Sequence, residues 1–280
     1  MITSHLRFRA LLAGALVVSA LALGNAGAAS AAVTPETSSN WAGYALTSTT
    51  AAPAKFTRVF AAWVQPTATC VPGQATYSAF WVGLGGYSPN SQALEQVGTE
   101  ADCSAGGQPT YSVWYELVPA APVTIKLLIS PGDSFVASVA VSGQKVTIKI
   151  SNYTLKQSFT KKLTMKSPVP DVSSAEWIAE APSACSLNGQ CVVLPLTNFG
   201  SMSFVSARAT AAGHTGSISD PSWAATMVSL DPSAGESQNQ FGAVQTAGAT
   251  PGALSSTGSS FEVAWSSEVA LLTRPRPGVS

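Results

Sequence analysis

The stretch "SSAEWIAEAPS" at residues 173–183 carries two glutamates four positions apart. In a helix, Glu176 and Glu180 would be neighbours, and like charges at this spacing repel each other. In a β-strand, Glu176 and Glu180 share one face while Trp177 lies on the opposite face, and the carboxylates are about 13 Å apart. That distance is too long for both to act on one bond. A catalytic glutamate here therefore needs a partner from another strand.

The rest of the chain also has a strand pattern. Short alternating or β-branched and aromatic runs are broken by Gly, Pro, Ser and Asn, and no run of ten residues has a helical period. The predicted strands are 56–66, 76–85, 93–100, 110–118, 123–130, 134–142, 145–153, 174–181, 201–210, 223–231 and 260–267. Residues 33–39 are expected to be an exposed lead-in. The pattern predicts an all-β fold, an antiparallel, jelly-roll-like β-sandwich that spans residues 33–280 as a single domain.

Residues 1–32 are predicted to be a signal peptide. Arg7 and Arg9 form the basic region, "LLAGALVVSALALG" is the apolar region, and "AASAA" offers a cleavage site near Ala31 or Ala32. No later stretch approaches the roughly 20 apolar residues of a membrane-spanning helix. We therefore expect a secreted, extracellular protein with no membrane contact after signal removal.

The charge balance of the mature chain does not favour nucleic acid as a partner. Without Arg7 and Arg9, 12 basic residues remain against 14 acidic ones, which gives a net charge of −2. Proteins that bind nucleic acid usually carry a clear basic excess. We expect no nucleic-acid partner and a monomeric protein.

The four cysteines are expected to form disulfides, because the protein is predicted to be exported. Cys185 and Cys191 bracket the turn-like "SLNG", which leaves Cys70 and Cys103 for each other. Four cysteines allow three pairings, and proximity in sequence favours this one. Metal binding is not expected, since His214 is the sole histidine after signal removal and offers no cluster of ligands.

A serine hydrolase is disfavoured by the same scarcity of histidine. His214 would be the sole imidazole base, and the mature chain has no G-x-S-x-G motif. We expect His214 to be a loop residue without a catalytic role.

A carbohydrate-active hydrolase is an open alternative, because such enzymes use two carboxyl groups roughly 5 to 9.5 Å apart. Glu95 with Glu100, or Glu116 with Glu180, could supply the pair. Tryptophans that could stack on sugars are Trp41, Trp81 and Trp114.

A peptide hydrolase needs a different combination, one carboxylate and one amide. The carboxylate takes a proton from the attacking water, and the amide N–H donates to the developing oxyanion. A glutamine does not titrate, while an unperturbed glutamate has a pKa of about 4.3 and would set an acidic optimum.

Six segments of the chain, in order, resemble the glutamic peptidases, the eqolisin or G1 family. The segments are "SSNWAGY" (38–44), "FWVGLGG" (80–86), "LEQVG" (94–98), "YSVWYELVP" (111–119), "AEWIAE" (175–180) and "NFGSMSFVSARAT" (198–210). Each segment is a weak signal by itself, but six in the family's order are specific. The similarity is to a bacterial-type member.

The resemblance implies two packed seven-stranded antiparallel sheets and a catalytic dyad of Gln96 and Glu180. Glu176 would then be a neighbour on the same strand. Substrate-binding residues are expected at Trp41, Trp81, Trp114 and Glu116. The expected activity is that of an acid-acting endopeptidase on protein or peptide substrates, without metal or cofactor. The alternatives are the carbohydrate-active hydrolase and a non-catalytic binding domain.

The chain departs from the family pattern in two places. Fungal members typically have Asp where "WVGLGG" has Gly85. Only a few residues separate the predicted cleavage site from "SSNWAGY", which leaves no room for the long propeptide of fungal members. We therefore expect no activation by propeptide removal, and with Gly85 the chain lacks a carboxylate that would orient the dyad.

Overall fold

The structure is a computed structural model that describes residues 32–49, 54–186, 191–234 and 247–267. The predicted signal peptide up to residue 31 lies outside these ranges. Within them, no helix is long and apolar enough to cross a bilayer. The described residues contain one 3₁₀ turn, Pro232–Ala234, and otherwise only strands, turns and loops.

The strands number eighteen over the described ranges. In chain order they are β1 (Val33–Ser38), β2 (Trp41–Thr47), β3 (Phe56–Val64), β4 (Ala79–Gly85), β5 (Leu94–Cys103), β6 (Pro109–Val118), β7 (Val123–Ile125), β8 (Ser134–Ser142), β9 (Lys145–Asn152), β10 (Gln157–Thr164), β11 (Ser174–Glu180), β12 (Ser183–Cys185), β13 (Cys191–Val193), β14 (Ser201–Ala211), β15 (His214–Gly216), β16 (Ala224–Leu230), β17 (Ala247–Pro251) and β18 (Phe261–Ser267). Each of the eleven predicted strands overlaps one of these.

Fourteen strands form one continuous path that divides into two seven-stranded halves. One half has the order β10-β9-β8-β3-β14-β18-β17, and the other has the order β16-β2-β11-β4-β5-β6-β7. A single pair, Leu230 with Ala249, joins β16 to β17 at the boundary between the halves. The predicted all-β sandwich with two seven-stranded sheets is therefore confirmed.

Aromatic side chains fill the space between the two halves. The largest side chains that are fully buried there include Trp63, Phe80, Phe135, Trp177 and Phe204. Two indoles also connect the layers, because Trp177 Nε1 donates to the Phe60 carbonyl at 2.9 Å and Trp63 Nε1 donates to Thr99 Oγ1 at 3.0 Å. Burial of each such side chain contributes about 1.5 to 3 kcal/mol, and the indole N–H groups stay hydrogen-bonded.

The expected exposed lead-in at residues 33–39 contains a strand, β1, that was not predicted. Residues Val33–Ser38 pair in parallel with Ala225–Leu230 of β16, although their side chains are mostly exposed. This pairing adds an eighth, parallel strand to the edge of the half that contains β11. The sequence pattern does not show it, because no buried apolar face marks the strand.

The structure contains both predicted disulfides, Cys70–Cys103 and Cys185–Cys191. The first joins the loop after β3 to the end of β5. The second closes the hairpin of β12 and β13, which follows β11 directly. Each bond therefore restrains a segment next to the strands that carry the expected dyad.

We expect the longer disulfide loop to stabilise the protein more. The loops close over sequence separations of 33 and 6 residues, and chain-entropy estimates give about 4 and about 2 kcal/mol, respectively. Replacement of Cys70 and Cys103 by alanine should lower the free energy of unfolding in urea more than replacement of Cys185 and Cys191. An equal or reversed ranking would contradict the loop-length argument.

Candidate active site

A cleft of about 690 Å³ lies on the outer face of the sheet that contains β11. Five of the six residues expected in the site line it, and they come from four strands: Trp41, Gln96, Trp114, Glu116 and Glu180. Side chains alternate between the two faces of a strand. The cleft therefore receives Glu180 from β11 while Trp177 of the same strand points into the core.

The carboxyl group of Glu180 accepts hydrogen bonds at both oxygens. Trp81 Nε1 donates to Oε2 at 2.7 Å, and Asn40 Nδ2 donates to Oε1 at 3.1 Å. Trp81 comes from the neighbouring strand β4, and Asn40 comes from the turn between β1 and β2. Two N–H donors hold the carboxyl in one orientation and favour its ionised form.

Burial nevertheless raises the pKa of Glu180 to about 7. The hydrogen bonds from Trp81, Trp41 and Asn40 lower this pKa, whereas the nearby carboxyl of Glu116 raises it. Desolvation outweighs the donors because charging a carboxyl away from water is costly. Glu180 therefore differs from the unperturbed glutamate assumed from the sequence, and it can both accept and return a proton near neutrality.

The Gln96 amide is held by Glu116. Gln96 Nε2 donates to Glu116 Oε2 at 2.7 Å, and the two residues face each other across β5 and β6. Burial raises the pKa of Glu116, although the hydrogen bond from Gln96 lowers it. The second N–H of the amide is not used in this contact, so it can donate to another group.

The structure corrects the assignment of Trp81 as a substrate-binding residue. Its side chain is completely buried, whereas Trp41 and Trp114 line the cleft. The Trp81 ring packs edge to face with Trp41, with ring centres 5.0 Å apart. Trp81 supports the floor of the cleft and donates to Glu180, so it cannot stack on a substrate.

The Trp81 ring also connects the two expected dyad residues. Gln96 pairs with Gly83 of β4, while Glu180 pairs with Ala79, four residues away along the same strand. A Cβ at Gly83 would lie 2.9 Å from Cζ3 of Trp81 and 3.3 Å from Cβ of Gln96. One edge of the indole thus lies beside Gln96, and its Nε1 contacts Glu180.

The sheet separates one of the two carboxyl pairs considered for a carbohydrate-active enzyme. Glu95 is completely buried and accepts a hydrogen bond from the backbone of Asp171, whereas Glu100 lines the cleft. They lie five positions apart on β5, so they face opposite sides of the sheet. Glu116 and Glu180 do share the cleft, but the Glu116 carboxyl already accepts a hydrogen bond from the Gln96 amide.

Asp171 explains the glycine at position 85. Gly85 has a φ of +81°, which favours glycine, and a Cβ there would lie 2.5 Å from Cβ of Asp171. The carboxylate beside Gly85 therefore comes from the loop before β11. Burial alone would raise the pKa of Asp171, but hydrogen bonds from the Ser91 hydroxyl and the Ser173 backbone outweigh it, and the pKa is lowered.

Glu176 lies on the cleft face of β11 but is completely buried, and a contact with the Ser174 side chain lowers its pKa less than burial raises it. Burial raises its pKa well above the usual range, and the carboxylates of Asp171 and Glu95 raise it further. A protonated acid at this position is consistent with a structural neighbour rather than a base. Its distance from Glu180 along the strand is about 13 Å.

His214 lies outside the cleft. It begins the short strand β15, and its Nε2 lies 2.8 Å from Asp220 Oδ2 at the surface. In the described ranges, no group of three or more His, Cys, Asp or Glu side chains is placed to hold a metal ion.

The contacts of Asn40 and Asp171 were not found from the sequence. Asn40 lies within the recognised "SSNWAGY" segment, but its contact with Glu180 spans 140 positions and leaves no local signal. Asp171 comes from a loop without a motif. Both act through tertiary contacts, so only the folded arrangement shows their roles.

The fold and the site together define a class, a β-sandwich with a carboxyl and an amide in one cleft. The sequence model of the Peptidase A4 family matches residues 39–250, and the chain belongs to this family. This confirms the resemblance to the glutamic peptidases.

Known relatives agree with this assignment. Aspergillopepsin-2 from Aspergillus niger is 33% identical over 145 residues, a match that covers 50% of this chain and 48% of the relative. The match thus spans about half of the length of that curated relative. Scytalido-glutamic peptidase, solved with a transition state analog inhibitor, has a TM-score of 0.62 at 24% identity, with 81% of this chain and 98% of that chain covered. Aspergilloglutamic peptidase from Aspergillus niger has a TM-score of 0.50 at 26% identity, with 68% and 99% covered.

We expect the protein to be more stable in acid than near neutrality. Burial is the largest cause that raises the pKa of Glu95 to about 8, of Asp102 to about 7 and of Glu176 well above its usual value. Such groups bind protons more tightly when folded, so their stabilising contribution is complete below the unfolded pKa and is lost as pH rises toward the folded pKa. The free energy of unfolding in urea should therefore fall from about pH 4 to about pH 8.

Glu176→Gln tests the cause of this decline, because a glutamine mimics the protonated acid. The variant should lose less stability than the wild type over the same pH range. Glu262→Gln changes an exposed glutamate of β18 and serves as the matched control, which should follow the wild-type profile. A wild-type stability that rises over this range would contradict the assignment of protonated buried acids.

Proposed function

We propose that residues 33–280 form a single secreted domain that acts in acid as an endopeptidase, with Glu180 and Gln96 as its catalytic dyad. The observation that carries this proposal is the shared cleft, which Glu180 and Gln96 both line and in which Trp81 Nε1 donates to the Glu180 carboxyl. Membership of the Peptidase A4 family supports peptide bonds as the substrate class.

In the proposed mechanism, ionised Glu180 takes a proton from a water molecule as the water oxygen bonds to the scissile carbonyl carbon. The carbonyl oxygen becomes an oxyanion, to which the free N–H of Gln96 Nε2 donates. When the intermediate collapses, the C–N bond breaks and Glu180 returns its proton to the leaving amine. Glu180 thus takes a proton from water and returns one to the amine, so no other residue has to change its charge.

The two sides of the pH profile have different physical origins. Because burial raises the pKa of Glu180 to about 7, the ionised fraction of the base decreases as the pH falls below that value. On the alkaline side, ionisation of the buried acids destabilises the fold. The protonated acids keep the protein folded at low pH, where the remaining ionised fraction of Glu180 limits the rate.

Export is supported by two independent features. The predicted signal peptide directs the chain out of the cytoplasm, and the two disulfides are bonds that persist in oxidising compartments.

The activity is tested by digestion of a denatured protein at pH 2 to 8, with and without a chelator. We expect cleavage that extends into acid and is unaffected by the chelator, because the mechanism needs no metal. Loss of cleavage with chelator would overturn the mechanism, and activity confined to neutral pH would overturn acid action. Plant or microbial polysaccharides offered to the same preparation test the carbohydrate-active alternative.

The dyad is tested by substitutions compared at equal folded fractions. Glu180→Gln should abolish turnover, because it keeps the shape and removes the base. Gln96→Ala should lower turnover by about 10² to 10³ fold, the effect of removing one oxyanion donor. Glu116→Gln should give an intermediate loss, because Glu116 orients the amide without taking a proton.

Glu176→Gln is the matched control on the same strand and should retain most of the activity. If Glu176→Gln abolishes turnover and Glu180→Gln does not, the two glutamates are assigned in the wrong order. If both variants are fully active, the dyad is wrong.

A further inference from the structure

The turn between β1 and β2 contacts the catalytic strand at two points. Asn40 Nδ2 donates to Glu180 Oε1 at 3.1 Å, and the Asn40 carbonyl accepts from the backbone N–H of Ala181 at 2.8 Å. Asn40 thus holds the end of β11 through its backbone and the Glu180 carboxyl through its side chain. These contacts lie beside the cleft, which Asn40 also lines.

Ser38 holds Asn40 in this orientation. The Ser38 hydroxyl accepts from the backbone N–H groups of Asn40 and Trp41 at 3.3 and 3.2 Å and donates to Asn40 Oδ1 at 3.2 Å. Since Oδ1 is occupied as an acceptor, the Nδ2 group of the same amide is directed toward Glu180. The Ser38 hydroxyl therefore fixes the orientation of the Asn40 amide, so that its Nδ2 group faces the Glu180 carboxyl.

Strand β1 in turn holds Ser38. Its backbone pairs with β16 from Val33 to Ser38, and the Ser38 carbonyl accepts from the N–H of Asp231 at 2.9 Å. The Tyr87 hydroxyl, from the loop after β4, donates to the Glu36 carboxylate. Because β1 exposes most of its side chains, apolar burial contributes little to its docking. Hydrogen bonds of the backbone and of Glu36 keep it in place.

We propose that the N-terminal strand β1 and Asn40 are positioning elements of the active site, which orient the Glu180 carboxyl for its reaction with water. This inference rests on the proposed role of Glu180. Among the three donors to Glu180, Trp81 and Trp41 belong to strands in the interior of the sheet, whereas Asn40 depends on an edge segment. Glu116 on β6 is the charged group that acts on Glu180, and its effect opposes that of the donors.

Asn40→Ala tests the side-chain contact. We expect kcat to fall about 10- to 100-fold, the size of a hydrogen bond to a charged group, with little change in KM. Loss of a donor to the carboxylate should also raise the pKa of Glu180 and move the acid limb of the kcat/KM profile to higher pH. Asn198→Ala is the matched control, because Asn198 is similarly half-buried and accepts from Gly200 N away from the cleft.

Deletion of residues 33–37 tests the strand. The deletion should lower kcat. Adding Asn40→Ala to it should cause little further loss, because both changes disrupt the same contacts that lead from β1 to Glu180. Ser38→Ala should also lower kcat, while Ser38→Thr keeps the hydroxyl and should restore most of the activity. A structural role alone would lower the folded fraction without this coupling.

A readout without turnover separates this inference from the proposed function. The Glu180 carboxyl can be titrated by NMR with labelled glutamate and assigned by its loss in Glu180→Gln. A higher pKa of Glu180 in Asn40→Ala supports the positioning role even if the protein cleaves no peptide. An unchanged pKa and kcat in Asn40→Ala overturn the proposal, and an unchanged kcat in the deletion variant overturns the part played by β1.

Discussion

The pairing of β11 with a neighbour on each side is the constraint on which the cleft depends. Hydrogen bonds to β2 and to β4 fix its register, and side chains alternate between the two faces of the sheet. This register places Trp177 in the core, where its indole N–H donates a hydrogen bond to the Phe60 carbonyl of the opposite layer. A slip of one residue would bury Glu180 between the layers and expose Trp177. The register of β11 therefore fixes both the packing of Trp177 in the core and the placement of the Glu180 carboxyl in the cleft.

The same sheet accumulates carboxyl groups whose pKa values burial raises. Glu180 and Glu116 face the cleft, Glu176 is covered beside it, and Glu95 lies on the core face. Burial of each acid costs little free energy when the carboxyl is protonated and much more when it is charged. Stability in acid and a carboxyl able to exchange a proton near neutrality thus share one cause, the removal of these groups from water.

Contacts around the cleft join segments that are far apart in sequence. Asn40 contacts Glu180 across 140 positions, and Asp171 fills the space beside Gly85. No local sequence pattern marks these contacts, because they form only when the strands have assembled.

Much of the fold could be predicted from local pattern, as β8 and the β11 region show. The alternation in "SFVASVAVS" predicts Ser134–Ser142 at its observed bounds. Seven of the eighteen strands were missed. Among them, β1, β10 and β17 have residues that are exposed, lysine-rich or interrupted by Gly and Pro. Their backbones become strands because a neighbouring strand offers hydrogen bonds, which is a property of the assembled sheet.

By itself, the sequence determined the β-class, both disulfide pairs, the family and the candidates Gln96 and Glu180. Alternation and cysteine spacing can be read from short stretches, and the six ordered motifs are specific when taken together. The tertiary structure alone decided that Trp81 lies beneath the cleft, that Asn40 reaches Glu180, that Asp171 lies beside Gly85, and that the pKa of Glu180 is raised. Each of these depends on which distant groups surround a side chain and how far they exclude water. Burial and long-range contacts exist only once the sheets have packed.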